Sequence, residues 1–121
     1  MWQVEFDDHF ATKFGKLPLK VRKAIAAYAI LLESEGPHLA CPHADTLKGS
    51  SHANMKELRP TVDKVEWRVA YAFDPRRRAI LLAAAAKGGK KTAYKGLIGK
   101  ADMRFSTHLA ALRRPGSRKK E

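Results

Sequence analysis

Eight consecutive apolar residues, Ala79–Ala86, follow directly on an alternating strand and a turn, and this pairing constrains the fold more than any other feature of the chain. Over Glu66–Phe73, the residues Trp67, Val69, Tyr71 and Phe73 share one face, while Arg68, Ala70 and Ala72 share the other. Asp74-Pro75 opens a turn that carries Arg76, Arg77 and Arg78. An apolar run of eight is short for a helix and follows a hairpin turn, so it reads as a central strand covered on both faces.

The remaining elements arrange themselves around that hairpin. Trp2–Phe6 alternates as a short strand. Asp7 and Asp8 offer an N-cap for a helix to about Lys16, and Pro18 suits the start of a second helix. In that second helix Val21, Ile25, Tyr28 and Leu32 form one stripe, and Gly36-Pro37 ends it. Pro37–Asn54 reads as loop, and Met55–Arg59 as a brief strand closed by Pro60. From about Thr92 a last helix places Tyr94, Leu97, Ala101, Phe105, Leu109 and Leu112 on one side. The order implies an α+β sandwich: an antiparallel sheet of about four strands, two N-terminal helices and one C-terminal helix. One domain is expected over 1–112, followed by a basic, disordered tail over 113–121.

The 121 residues carry a formal charge of +12, and residues 1–112 alone carry +8, so the folded body itself is basic. Such a surface favours a polyanion, whether nucleic acid, an anionic membrane surface or an acidic protein. The one cysteine, Cys41, excludes an intramolecular disulfide. The longest uncharged apolar run, Ala24–Leu32, is far short of the roughly 20 residues that span a bilayer. A cytoplasmic protein without membrane association is expected.

The middle of the chain reads Leu47-Lys48-Gly49, then Met55-Lys56-Glu57-Leu58-Arg59, Trp67-Arg68-Val69-Ala70-Tyr71-Ala72-Phe73-Asp74 and Ala79-Ile80-Leu81-Leu82, and closes with Lys87, Lys90 and Lys91. This order and spacing, over about residues 40–110, resembles the RelE/ParE superfamily of type II toxins, in particular its HigB-like, phage-related branch. The resemblance implies a RelE-like sandwich and a toxin neutralised by an antitoxin, usually a helix-turn-helix protein. It implies a ribosome-dependent endoribonuclease that cuts messenger RNA without metal or other cofactor. In that reaction the 2′-hydroxyl attacks the adjacent phosphate and leaves a 2′,3′-cyclic phosphate and a 5′-hydroxyl. Two alternatives share the fold: a ParE-like inhibitor of DNA gyrase, and a non-catalytic basic nucleic-acid-binding protein.

This chemistry needs a base for the 2′-hydroxyl, cations for the dianionic phosphorane and an acid for the leaving oxygen. Arginine suits the second task, because its planar fork grips phosphate and keeps its charge. Arg59 and Arg68 share one groove if their strands pair, and Arg68, lying outside the apolar row, is expected to be replaceable without harm to the core. The alternative for each is an ordinary exposed strand arginine. Lys87, Lys90 and Lys91 occupy the loop where relatives carry a basic catalytic residue. Tyr94 stands near a functional tyrosine of some relatives, although its helical phase also suits plain packing. Lys48, Lys56, Arg76, Arg77 and His52 are assigned to RNA contact, with His52 also a candidate for proton transfer. Glu57 stands where relatives outside the HigB-like branch carry lysine, and the general base is left unassigned between it and others. His38, Cys41 and His43 have zinc-ligand types at a spacing that matches no standard site, and no metal is expected. Gly88-Gly89-Lys90-Lys91-Thr92 lacks the spacing of a phosphate-binding loop.

Overall fold

The computed structural model describes residues 1–87 and 91–114, with residues 91–93 as backbone alone. In chain order the elements are β1 (Gln3–Phe6), α1 (Asp8–Phe14), α2 (Leu19–Glu35), β2 (Ala44–Thr46), β3 (Lys56–Leu58), β4 (Thr61–Val62), β5 (Val65–Phe73), β6 (Arg78–Ala86) and α3 (Lys91–Arg113). Asp7 caps α1, its carboxylate accepting the backbone N–H groups of His9 and Phe10 at 3.0 and 3.1 Å. Helix α2 starts after Pro18 and buries Val21, Ile25 and Leu32. It stops at Gly36, which has φ of 59° and packs so close to the Trp2 indole that a Cβ would overlap the ring.

The sheet runs β1-β6-β5-β3-β2, with β4 folded back on the start of β5. Two expectations need correction. The sheet has six strands rather than about four, because the segment read as loop from Pro37 to Asn54 contains β2, which pairs with β3, and the two-residue β4 pairs with β5. The sheet is also mixed rather than antiparallel: β1 lies parallel to β6, in register from Gln3↔Arg78 to Phe6↔Leu81. Helices α1 and α2 follow β1 in the chain, so its sheet neighbour is not the next strand, and a two-residue hairpin does not dictate its direction.

The alternation along β5 divides the core. Val69 and Tyr71 pack with Phe10, Val21, Ile25 and Leu32 on the side of α1 and α2. Ala70 and Ala72 face Leu97, Ala101 and Phe105 of α3 on the other side. The helices therefore cover both faces of the sheet, as the eight-residue apolar run requires. Strand β6 pairs with β5 through a bulge, since Ala83 lies opposite Ala70 and Leu81 opposite Tyr71, leaving Leu82 as the extra residue. Leu82 and Ala83 thus both point toward α3, and Arg104 Nη1 donates to the Leu82 carbonyl at 2.7 Å. Among the described residues no helix is long and apolar enough to cross a membrane.

Candidate active site

Strand β3 pairs with β5 through Glu57↔Ala70 and Leu58↔Val69, so the next step of this register sets Arg59 opposite Arg68. Two guanidinium groups facing each other across strands would repel. Glu57 lies between them and removes the conflict. Its Oε2 accepts a hydrogen bond from Arg59 Nε at 3.1 Å, lies 3.0 Å from Arg59 Nη2 in an ion pair, and stands 3.5 Å from Arg68 Nε. Its Oε1 accepts the Tyr94 hydroxyl at 2.9 Å. The Glu57 side chain is 2% exposed, and a carboxylate so buried is tolerable because both oxygens are engaged by charged or hydroxyl donors.

The two arginines are not equivalent. Arg68 is 7% exposed at its side chain and spends its remaining donors on Trp67 O and Glu66 Oε1, each at 3.0 Å. Arg68 lines the groove, but as a buried ion-pair member rather than an exposed strand arginine, because α3 covers the face of β5 on which it lies. Arg59 is 32% exposed and also reaches Asp45 Oδ2 at 3.5 Å. The Glu57 carboxylate, bonded to it, raises the Arg59 pKa against the opposing effect of burial. Asp45 is lowered, first by the Thr46 backbone N–H and, against desolvation, by Arg59. Burial, joined by the Glu57 carboxylate, pushes the Tyr94 phenol up to about 12, so Tyr94 is a hydrogen-bond donor at neutral pH.

These groups form the inner wall of a cleft of about 660 Å³. Around Glu57, Arg59, Arg68 and Tyr94 stand Lys48, Lys87 and Lys95, with a floor of Ala85, Ala86 and Ile98. Five cationic side chains against two carboxylates make the cleft electropositive. Lys87 is held at its rim by a backbone bond to Glu66 O at 2.7 Å, which continues the β5–β6 ladder. Chemically, the cleft offers fixed positive charge for an anionic centre, and Arg59 is its more exposed guanidinium.

Of the residues singled out from sequence, Arg59, Arg68, Lys87, Tyr94 and Lys48 come together here. Lys56 does not: it is paired with Tyr71, and alternation along β3 puts it on the face opposite Glu57. His52 lies elsewhere, with Nε2 at 2.9 Å from Ser106 Oγ and its ring edge-on to Phe105. Ser106 is twelve residues past Tyr94, roughly 18 Å along α3. Arg76 and Arg77 occupy the β5–β6 turn at the far end of the hairpin, eight and nine positions beyond Arg68, past a strand segment of about 17 Å from Arg68 to Phe73. There the Arg77 guanidinium lies 4.6 Å from the centre of the Trp2 ring, a cation–π contact. Lys90 and the side chain of Lys91 lie outside the described residues, as do residues 115–121 of the tail. The helix itself reaches Arg113, one residue past the expected domain boundary. Sequence reading did not place Glu57 at the centre, nor find Asp45 and Lys95. Glu57 alone carried a signal, as an acid beside an arginine on a short strand. Among the described residues no three His, Cys, Asp or Glu side chains are grouped to hold a metal ion; His43 packs edge-on to Tyr28, with ring centres 5.7 Å apart.

Residues 12–106 match the family "Phage derived protein Gp49-like (DUF891)". Two similar proteins come from Mycobacterium tuberculosis and are named as candidate toxins. HigB2 is 52% identical over 82 residues, which are 66% of this chain and 41% of HigB2. HigB3 is 45% identical over 82 residues, 67% of this chain and 70% of HigB3. The chain therefore spans about two-fifths of HigB2. Among solved structures, a double arginine-to-alanine mutant of the Escherichia coli toxin RelE in the free state matches with a TM-score of 0.59 at 12% identity, over 82% of this chain and 95% of that one. The isolated E. coli RelE toxin matches with a TM-score of 0.56 at 12% identity, over 79% and 95%. At that identity the likeness is one of fold, whereas the family match and the HigB relatives rest on sequence. The chain belongs to the Gp49-like family, is similar in sequence to the HigB proteins, and has a fold like that of RelE.

Proposed function

We propose that this protein is the toxin of a type II toxin–antitoxin pair and an endoribonuclease that cleaves messenger RNA on the ribosome in the cytoplasm. The observation that carries this reading is the electropositive cleft in which Arg59, Lys48, Lys87 and Lys95 surround the Glu57–Arg68–Tyr94 cluster. Its relatives HigB2 and HigB3 bear toxin names, and their similarity to this chain supports the same role. Residues 1–112 act as one unit that an antitoxin, of helix-turn-helix type, neutralises.

In this reading the reaction is metal-independent: the 2′-oxygen gives up its proton and bonds to the adjacent phosphorus, the P–O5′ bond breaks, and the 5′-oxygen takes up a proton and leaves as a hydroxyl, giving a 2′,3′-cyclic phosphate. Arg59 and the lysines stabilise the negative charge that grows on the phosphorane, the task for which preorganised cations are most effective. Glu57 already accepts hydrogen bonds at both oxygens, so its part is to hold Arg59 and Arg68 in place rather than to take the 2′-hydroxyl proton. Tyr94 donates to Glu57 and fixes that carboxylate.

The test is induction of the protein without its antitoxin, followed by pulse labelling and by mapping of RNA ends. Protein synthesis should fall before DNA synthesis, and messenger RNA on programmed ribosomes should acquire 2′,3′-cyclic phosphate ends in the presence of a transition-metal chelator. Arg59→Ala should lower single-turnover cleavage by about 100-fold or more. DNA synthesis failing first, with gyrase-linked breaks, would overturn the reading.

A further inference from the structure

The loop from Leu47 to Met55, which joins β2 to β3, borders the cleft at Lys48 and is built as a closed unit. Leu47 N donates to Met55 O at 3.0 Å, and both side chains are buried under α3. Between these anchors the chain turns at Gly49, with φ of 94°. A Cβ there would stand only 3.4 Å from Ile98 of the cleft floor. The tip of the loop is then tied to α3. Asp102 accepts the Ser50 hydroxyl on Oδ1 and the Ser51 backbone N–H on Oδ2 at 2.9 Å. Ser50 Oγ in turn accepts the His52 N–H at 2.9 Å, and His52 reaches Ser106 one helical turn beyond Asp102.

Only one residue of this loop lines the cleft, and it is Lys48, between the buried Leu47 and the turn at Gly49. An exposed lysine on a free loop would spread its charge over many positions, because its stem is long and flexible. Fixing the backbone on both sides of Lys48 keeps the root of its side chain at the cleft and narrows the positions its ammonium can reach. Asp102 itself does not line the cleft. Its carboxylate is held ionised by the bonds from Ser50 and Ser51 despite the opposing effect of partial burial.

We propose that Asp102 is a positioning residue for RNA binding: it clasps the Ser50–Ser51 tip to α3 and so holds Lys48 where it contacts a substrate phosphate. The proposal rests on the functional reading above. It makes a prediction opposite in sign to simple electrostatics. Removing a negative charge from a basic protein should tighten RNA binding through the overall field. Removing the clasp should weaken it.

The experiment measures binding of a labelled single-stranded RNA dodecamer with 2′-O-methyl riboses, which cannot supply the attacking hydroxyl, across a salt series. The proteins are the parent, Lys48→Ala, Asp102→Asn and the double variant, each checked by thermal melting. Lys48→Ala should bind about two- to fivefold more weakly, the worth of one exposed ion contact. Its log–log salt slope should be shallower by about 0.7, as for one lost phosphate contact on a single strand. Asp102→Asn should show the same two changes, and the double variant should be no worse than either single one. Ser50→Ala, which removes the hydroxyl's bonds to Asp102 and to the His52 backbone N–H but no charge, should fall between parent and Asp102→Asn, and it replaces Asp102→Asn if that variant does not fold. Overturning results are Asp102→Asn binding as tightly as the parent or tighter, or its loss adding in full to that of Lys48→Ala. If the parent itself does not bind this RNA, the clasp proposal is overturned, whereas the functional reading stands or falls on the cleavage of messenger RNA on programmed ribosomes.

Discussion

Replacing Arg68 with alanine removes the one cation that, among the described residues, touches both Glu57 and Glu66. Its side chain is 7% exposed, and its three donor groups face Glu57 at 3.5 Å, Trp67 O at 3.0 Å and Glu66 at 3.0 Å. Breaking a buried ion pair from one side costs about 3–5 kcal/mol. Glu57 keeps Arg59 and Tyr94 as partners, so the lower end, about 3 kcal/mol, applies here. For a chain of this size about 4 °C of melting temperature corresponds to 1 kcal/mol, which gives a fall of roughly 12 °C. A freely exposed strand arginine would cost only about 0.5 kcal/mol, near 2 °C. Glu66→Ala is the control: this partner is 54% exposed, and its loss should cost under about 1 kcal/mol. Thermal melting of both variants, followed by far-UV circular dichroism, decides the matter. An Arg68→Ala protein that melts within about 2 °C of the parent would show that this arginine is not held in a buried pair.

Three further outcomes are expected. Gly36→Ala should cost at least about 2 kcal/mol, because φ of 59° and the Trp2 indole both exclude a Cβ; a melt unchanged from the parent would refute that packing. Gly96→Ala and Gly99→Ala should each stabilise by about 0.8–1 kcal/mol, since both lie within α3 with nothing within 4 Å of an added Cβ; destabilisation by either would contradict this geometry. Burial disfavours the charged Asp74 carboxylate but is outweighed by the bonds from His108 and Arg78, so its folded pKa lies below 3.8. A group with a depressed folded pKa contributes stability that is present above its unfolded value and is lost as pH falls through the folded one. Urea unfolding should therefore show stability dropping below about pH 4, and Asp74→Asn should flatten that part of the profile; an unchanged profile would remove Asp74 from the account.

The amino-acid order by itself determined the hairpin of β5 and β6, the limits of α2 and the apolar side of α3, because each rests on local periodicity and on glycine or proline at a boundary. The basic surface and the run of motifs also pointed to the family from sequence alone. Strand β2 and the parallel placement of β1 were not legible. Ala44–Thr46 is three residues long and becomes a strand only through its partner β3, and nothing local to Gln3–Phe6 records that β6 will be its neighbour. The site divides in the same way. Alternation correctly set Arg68 off the Trp67–Phe73 row, but it specifies a face and not what covers that face. Only the packing of α3 decided that Arg68 is buried and Arg59 is the more open cation. Only the β3–β5 register put Glu57 between them and turned Lys56 away. Periodicity travels along the chain, whereas burial and partner choice depend on segments far apart in it.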